Sequence, residues 1–317
     1  MHAVADQEIA IGSGRARPDQ REQLLTGTAM SRATQTNTRP NRASAVPISI
    51  EKRDLEKLEA AYYTLEHPSL AVRLSNVVGT PIEIAYHLLP KKWYRRIHHA
   101  AEKGISKALR TAVSTMRRDH ELSAHEAYFK VLAAGSGGAG GFFGLPGLLL
   151  ELPVTTTLML RGIAEIARDE GEDVFDPETQ LACVECFALG GKTEMDDAAD
   201  TGYYGVRLAL SAYMTAAMAD VAAHGFTADS GPIVMKLINA IASRFGIAIS
   251  QRAAVQLMPI VGAVSGGALN AIFMHHFQHL ARAHFTVRRL ERKYGEEFVR
   301  VQYEAFEKAD QLRRSSR

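Results

Sequence analysis

The sequence predicts an all-α fold, and two uncharged, glycine-bearing apolar segments are the main reason. The first, Val131–Leu150, has twenty residues without a charge, and the second, Ala253–Met274, has twenty-two. Elsewhere apolar side chains recur at the three- and four-residue spacing of helices, and no stretch alternates as a strand does. We therefore expect one helical domain in which the two segments, the first extended to Leu160, pack closely together.

Seven glycines and Pro146 make the first segment unlike an ordinary membrane-spanning helix, although its length suffices. Each Gly costs a helix interior about 1 kcal/mol relative to Ala, and Pro costs about 3. A tight helical hairpin is therefore expected, with backbones touching at glycines four residues apart. A packing joint in a soluble core, a membrane-inserting element and a phosphate-cradling loop remain open, although the loop lacks its usual Lys. The glycines assigned to packing are Gly137, Gly140, Gly141, Gly144, Gly262 and Gly266.

Apolar and basic side chains near these segments suggest contact with a membrane. Trp93, the single tryptophan, stands within the basic run Lys91–Arg96, and a second basic cluster occupies Arg288–Lys293. Aromatic rings and cations together suit a lipid headgroup layer. A solvated loop with a half-buried Trp93 is the alternative. The expected apolar contacts are Trp93, Phe142, Phe143, Leu145, Leu148, Leu149 and Leu150.

Composition predicts the domain organisation. Residues 1–47 are polar and poor in apolar side chains, so a disordered tail is expected, with Met30 as a second candidate start. A helical domain should occupy residues 48–310, followed by a frayed basic tail at 311–317. The net charge of +2 gives no field for nucleic acid, and two cysteines cannot build a disulfide framework. No secretory signal is visible at the N-terminus.

Local signals place several helix boundaries. The tripeptide Asp176–Glu178 combines a capping Asp, a first-turn Pro and an acidic side chain, which is typical of a helix start. Gly190 is expected to end that helix. Pro153 is expected in the first turn of another helix. A long amphipathic helix should begin at Ile97.

The candidate catalytic groups are three carboxylates. Glu151 is the one charge between Val131 and Leu160, so it needs a partner such as Arg161 or a helix N-terminus, or it is an acid with a perturbed pKa. Glu165 and Asp169 lie four residues apart on the following helix. None of the three belongs to a known hydrolase or kinase motif.

The candidate metal ligands are two histidines. His275 and His279 have the i,i+4 spacing at which two imidazoles can share one metal ion with an acid from elsewhere. Solvated polar side chains on a helix that leaves the core are the alternative. No cofactor-binding motif accompanies them, so no cofactor is expected.

Four segments of the sequence, taken together, resemble the EcsC protein family. They are LEAAYYTLEHPSLAVRLSNVVGTPIE, GGFFGLPGLLLELPVTTTLMLRGIAEIARDEGED, DPETQLACVECFALGG and MPIVGAVSGGALNAIFMHHFQHLARAHFTVRRLERKYG. The resemblance covers about residues 48–300 in order. The family is named after the third product of a bacterial operon that also encodes an ABC-type exporter. The resemblance therefore implies a bacterial protein on the cytoplasmic side of the membrane, near a membrane transport system. Some members carry a peptidase label, but the resemblance brings no catalytic residues to this chain.

Three functions follow as hypotheses. The first is a non-enzymatic, membrane-associated accessory protein linked to ABC-type transport or the cell envelope, whose partner is a membrane surface or a membrane protein. The second is a soluble helical hydrolase or peptidase-like enzyme that uses the candidate carboxylates and histidines. The third is a module that binds a lipid or another apolar ligand between the two glycine-bearing segments. Nucleic acid is not an expected partner.

Overall fold

A computed structural model of the chain describes residues 49–67, 70–78, 89–116, 144–190, 202–224, 231–257 and 266–316. All regular structure within these ranges is helical, which confirms the all-α prediction. The predicted tail at 1–47 lies outside the described residues. The helices are α1 (Lys52–Glu66), α2 (Leu70–Val78), α3 (Lys91–Met116), α4 (Gly144–Asp169), α5 (Pro177–Leu189), α6 (Tyr203–His224), α7 (Pro232–Gln256), α8 (Gly266–Tyr294) and α9 (Glu296–Ser315).

The core is formed by the long helices α3, α4, α7 and α8 together with the short, buried helix α5. Helix α3 packs along α4 and α7, while α8 packs against α1 and α4. Gly104 allows α3 to approach α4, because a Cβ at that position would lie 3.1 Å from Thr156 Oγ1. Every residue of α5 from Thr179 to Leu189 is buried. Most of these side chains are apolar, and such a helix is expected to lie in the core.

Helix α5 has the predicted boundaries. The Asp176 carboxylate accepts a hydrogen bond from the Thr179 backbone N–H at 3.2 Å, and Pro177 occupies the first turn. Gly190 caps the other end, and a Cβ there would lie 2.5 Å from the Phe277 ring. The glycine therefore both ends α5 and lets α8 approach it closely.

Two predicted boundaries are wrong. Helix α4 begins at Gly144, with φ of +60°, and continues through Pro153. The burial of Leu148 and other apolar side chains before the proline stabilises these additional turns. Helix α3 begins at Lys91 rather than Ile97. Packing of Trp93 against the core stabilises a first turn that includes the basic run.

The described parts of the two glycine-bearing segments contact each other. The first segment enters α4, and the second contributes the end of α7 and the start of α8; α4 packs against both helices. Close packing of the segments is therefore confirmed for these parts. The predicted hairpin stays a prediction, since Gly137, Gly140, Gly141, Phe142, Phe143 and Gly262 lie outside the described residues.

Candidate functional site

The outer face of α3 carries a row of basic side chains. Ile97, Ala101 and Ile105 recur every four residues and are buried, while the basic residues on the other side of the helix are exposed. From the helical rise of 1.5 Å per residue, this row is about 28 Å long. We call it the basic stripe; its members are Lys91, Lys92, Arg95, Arg96, His99, Lys103, Lys107 and Arg110.

Carboxylates neutralise little of the basic stripe. Glu102 is the one acidic residue in the sequence of α3, and its Oε2 lies 3.5 Å from His99 Nδ1. Neither Lys103 nor Lys107 forms an ion pair within the part of the chain that the structure describes. Within the described residues, the charges of Lys103 and Lys107 are therefore not neutralised by a carboxylate.

An open groove of about 650 Å³ runs beside the basic stripe. Pro153 of α4 and Met235 of α7 are its two apolar lining residues, and they lie opposite the polar and charged residues of α3. The Ser106 hydroxyl donates a weak hydrogen bond to Met235 Sδ at 3.7 Å, which joins α3 to α7. The remaining lining residues are His99, Glu102, Lys103, Lys107 and Arg110.

Helix α4 exposes apolar side chains next to the groove proline. Leu150 is 81% exposed, and Val154, one turn later, is 49% exposed. Leu149 is half-buried, whereas Leu145 and Leu148 are buried in the core. Among these leucines, Leu150 is therefore the one that the fold presents to solvent.

Trp93 lies in the first turn of α3, beside the basic stripe. Its ring is half-buried against the core. The guanidinium carbon of Arg96 lies 5.1 Å from the ring centroid, which is within the range of a cation–π interaction. The chain's one tryptophan is thus held at the edge of the most basic surface of α3.

Glu151 is buried where α4, α7 and α8 meet. Arg252 Nη2 donates to Glu151 Oε1 at 3.2 Å, and the Thr155 hydroxyl donates to the same oxygen at 3.0 Å. The Asn270 amide of α8 also donates to it. Arg161, the partner suggested by the sequence, lies ten residues further along α4, or about 15 Å away. The partner comes instead from a distant part of the sequence.

This polar cluster joins the two glycine-bearing segments inside the core. Arg252 is fully buried, and its guanidinium carbon lies 5.6 Å from the centroid of the Phe273 ring. Burial lowers the pKa of Arg252, and the Glu151 carboxylate opposes that shift. Arg252 Nε and Nη1 have no hydrogen-bond acceptor among the described residues. The cluster is enclosed, so its clearest contribution is to hold α4, α7 and α8 together.

The three candidate catalytic carboxylates do not form one site. Glu165 lies fourteen residues after Glu151 on α4, which corresponds to about 21 Å. Burial raises the pKa of Glu165, and Arg168, whose Nη1 donates to it at 3.0 Å, opposes the shift. Asp169 is exposed at the end of α4. A catalytic role for any of the three stays a prediction.

The candidate metal ligands His275 and His279 lie side by side on α8, with ring centroids 4.1 Å apart. Arg73 of α2 contacts His275 Nδ1. His279 also lines a pocket of about 230 Å³ together with His67 and Arg73. The described residues contain no group of three or more His, Cys, Asp or Glu side chains placed to hold a metal ion. Metal binding by these histidines stays a prediction.

The second basic cluster, Arg288–Lys293 of α8, is paired inside the protein. Arg288 Nε donates to Glu172 at 2.9 Å, and Lys293 Nζ donates to Asp54 at 2.8 Å. Arg289 pairs with Glu170, and Arg292 pairs with Glu172. This cluster therefore binds the segment after α4 and the start of α1 to α8.

Sequence analysis missed the exposed apolar surface of α6. Within the described ranges, α4, α6 and α7 are long and apolar enough to cross a membrane. The apolar windows of α4 and α7 are 61% and 56% buried in the protein, but that of α6 is only 22% buried. Leu208 of α6 is 75% exposed. The missed signal is the uncharged, alanine-rich run Leu208–Ala219, which contains no glycine and resembles an ordinary packed helix.

Comparison with known proteins then gives the family. The profile of the EcsC protein family matches residues 52–290, which is well over half of the chain. The chain belongs to the EcsC protein family. The region matched to EcsC includes the whole basic stripe, the groove and the buried Glu151 cluster. No curated protein and no solved structure matches this EcsC chain.

Proposed function

We propose that this EcsC-family chain is a non-enzymatic accessory protein that binds peripherally to the anionic inner face of the cell membrane. The observation that carries the proposal is the basic stripe. Helix α3 contains seven Lys and Arg residues against a single Glu, and the exposed apolar side chains of Leu150 and Val154 accompany it on α4. This is the combination expected of a surface that meets lipid headgroups.

Electrostatic and apolar contacts contribute together to such binding. Each Lys or Arg close to an anionic lipid surface contributes about 1 kcal/mol, and salt weakens the attraction. An exposed leucine adds burial of apolar area, and Trp93 at the edge of the stripe suits the headgroup layer. Neither contribution alone gives firm attachment, because stable anchoring takes two signals.

The burial of the apolar helices supports attachment at the surface. More than half of the apolar windows of α4 and α7 is buried against the protein itself. Transfer of either helix into a bilayer would expose the Glu151–Arg252 pair to hydrocarbon, which is costly. Helix α6 is the candidate span with the most exposed apolar surface, so it offers a second contact with the membrane.

The link to ABC-type transport or the cell envelope is the more specific element of the proposal. It derives from the family context that the sequence resemblance implies. Peripheral binding at the inner face of the membrane brings the chain to the side on which an exporter hydrolyses ATP, where an accessory protein can act.

Sedimentation with vesicles tests the proposal. The chain should sediment with vesicles of equal parts phosphatidylglycerol and phosphatidylcholine but stay in solution with pure phosphatidylcholine. Combined Lys103→Glu and Lys107→Glu changes should weaken binding at least about thirtyfold, from about 1 kcal/mol lost per cation. Binding should also fall as salt concentration rises.

The matched control reverses two lysines elsewhere. Lys57 on α1 and Lys308 on α9 are exposed and form no ion pair among the described residues. The combined Lys57→Glu and Lys308→Glu variant has the same net charge as the stripe variant and should bind like the wild type. Equal losses in the two variants, or equal binding to the two kinds of vesicle, would contradict a role for the stripe.

A further inference from the structure

The groove beside the basic stripe has features that attraction to a charged surface does not require. A flat patch of cations is enough to hold a protein on an anionic membrane. Here α3, α4 and α7 also line an open groove of about 650 Å³, with basic side chains on α3 and the apolar Pro153 and Met235 opposite them. That volume lies within the usual range of 300–1,000 Å³ for sites that hold small molecules.

We propose that this groove binds one anionic phospholipid. Its phosphate group lies against Lys103 and Lys107, and part of an acyl chain lies against Pro153 and Met235. The inference rests on the proposed function, because the lipid comes from the same membrane surface. It adds a defined site with one lipid for each protein chain.

Charge complementarity identifies the head of the ligand. Lys103 and Lys107 lie one helical turn apart on the same side of α3, at the spacing that brings neighbouring side chains within about 6 Å. Both line the groove. The one acid of the lining, Glu102, is engaged by His99 at 3.5 Å. The excess positive charge therefore favours an anionic head over a zwitterionic one.

The opposite side of the groove identifies the tail. The pyrrolidine ring of Pro153 is apolar and forms the part of the groove lining that α4 contributes. The flexible thioether of Met235 fits irregular apolar ligands. Leu150 and Val154 continue the apolar surface of α4 outside the groove. A ligand with an acyl chain is thus favoured over a free phosphate.

A soluble short-chain lipid separates binding in the groove from binding to a membrane surface. The full chain is titrated by calorimetry with dihexanoyl-phosphatidylglycerol below its micelle concentration. Saturable binding of one lipid per chain is expected, at least about tenfold tighter than binding of dihexanoyl-phosphatidylcholine, because two cations meet the anionic head. Inorganic phosphate alone should bind more weakly than the anionic lipid.

One substitution changes the groove and keeps the basic stripe. Met235→Glu places a carboxylate in the groove opposite Lys103 and Lys107. It should weaken short-chain phosphatidylglycerol binding at least about tenfold, because the carboxylate repels the anionic lipid. Binding of this variant to phosphatidylglycerol vesicles should weaken by less than that of the combined Lys103→Glu and Lys107→Glu variant, because every cation of the basic stripe remains. Met235→Gln, which adds no charge, should give a smaller loss and serves if the Glu variant fails to fold. Combined Lys57→Gln and Lys308→Gln changes should alter neither measurement.

The results distinguish the two proposals. Binding to vesicles without saturable binding of the soluble lipid overturns the groove site and leaves the surface proposal standing. Equal affinity for the two short-chain lipids, or for inorganic phosphate and the anionic lipid, overturns the assignment of the ligand. Unchanged lipid binding in both Met235 variants overturns the location of the lipid site in this groove. If the wild-type chain does not bind phosphatidylglycerol vesicles, both proposals are overturned.

Discussion

Lys103 and Lys107 of α3 have surroundings opposite to those of Arg252 on α7 and Arg288 on α8. On α3, Lys103 and Lys107 face solvent and an open groove, with no carboxylate partner among the described residues. On α7 and α8, Arg252 and Arg288 each donate to a buried carboxylate of another segment. The sequence alone does not separate the groups, because both lie in helices that adjoin apolar segments.

The difference indicates what each group contributes. A cation paired with a buried carboxylate stabilises the fold, since its loss leaves a charge without a partner in a poorly solvated place. An exposed cation without a partner adds little to folding, and its charge remains available for binding. Substitutions should therefore affect stability at α7 and α8, and affect binding at α3.

The largest loss of stability is expected at Arg252. Arg252→Ala leaves the Glu151 carboxylate buried without its cation, which should lower the free energy of unfolding by about 3–5 kcal/mol in urea titration. The combined Glu151→Leu and Arg252→Met variant should recover most of that loss, because two apolar side chains replace the pair. A loss below about 1 kcal/mol for Arg252→Ala would mean that the pair does not stabilise the core.

Glu185 of α5 extends the comparison because it is a buried acid that forms no ion pair with a Lys or Arg among the described residues. Burial raises its pKa from 4.5 to about 7, against the opposing effects of Arg207 and Arg288. The imidazole of His284 lies 3.9 Å away and is itself held neutral, since burial lowers its pKa. Below about pH 7 the two groups are therefore better described as a neutral pair than as a salt bridge.

The raised pKa of Glu185 predicts a specific pH dependence. The folded chain keeps the Glu185 proton up to about pH 7, whereas the unfolded chain loses it near pH 4.5. The stability that the protonated carboxyl provides is thus complete below pH 4.5 and is lost as pH rises through 7. Relative to the wild type, Glu185→Gln should gain about 3 kcal/mol between pH 4.5 and 8. A constant difference in unfolding free energy across this range would contradict the shift.

A smaller loss of stability is expected when Arg288 is replaced. Arg288→Ala removes hydrogen bonds of 2.9 Å to Glu172 and 3.0 Å to Glu178. Hydrogen bonds to charged groups contribute about 1.5–3 kcal/mol, and Arg292 still contacts Glu172, so a loss of about 2 kcal/mol is expected in urea titration. Binding to phosphatidylglycerol vesicles should stay unchanged after correction for the unfolded fraction. A selective loss of vesicle binding would show that α8 also meets the membrane.

The smallest change in stability is expected on α3. Lys107→Ala removes an exposed cation without an ion pair among the described residues, so the free energy of unfolding should change by less than about 0.5 kcal/mol. The same variant should bind phosphatidylglycerol vesicles about fivefold more weakly. A stability loss as large as that of Arg288→Ala would remove the distinction between the two groups.

Much of the fold could be predicted because its signals are local. The cap at Asp176 and the stop at Gly190 depend on a few neighbouring residues, and the structure confirms both. The spacing of apolar residues along the chain predicts the all-α class. Pro153 was misplaced because the tertiary burial of Leu148 and its neighbours outweighs a local preference for the first helical turn.

The candidate site was less predictable because it depends on contacts between distant segments. Glu151 was recognised as a charge in need of a partner, but Arg252 is 101 residues away in the sequence. The basic run at Lys91–Arg96 was visible, whereas the groove requires α4 and α7 to lie beside α3. Pairing of Arg288 with Glu172 could not be read from either segment alone.

The fluorescence of Trp93 provides the most direct test that the basic face of α3 meets the membrane. The chain has one tryptophan, so its emission reports on this face alone. On addition of phosphatidylglycerol vesicles, the emission should shift to shorter wavelength and be quenched by lipids that carry a spin label near the headgroup. Binding of the chain to the same vesicles without a change in Trp93 emission or quenching would contradict the proposed orientation.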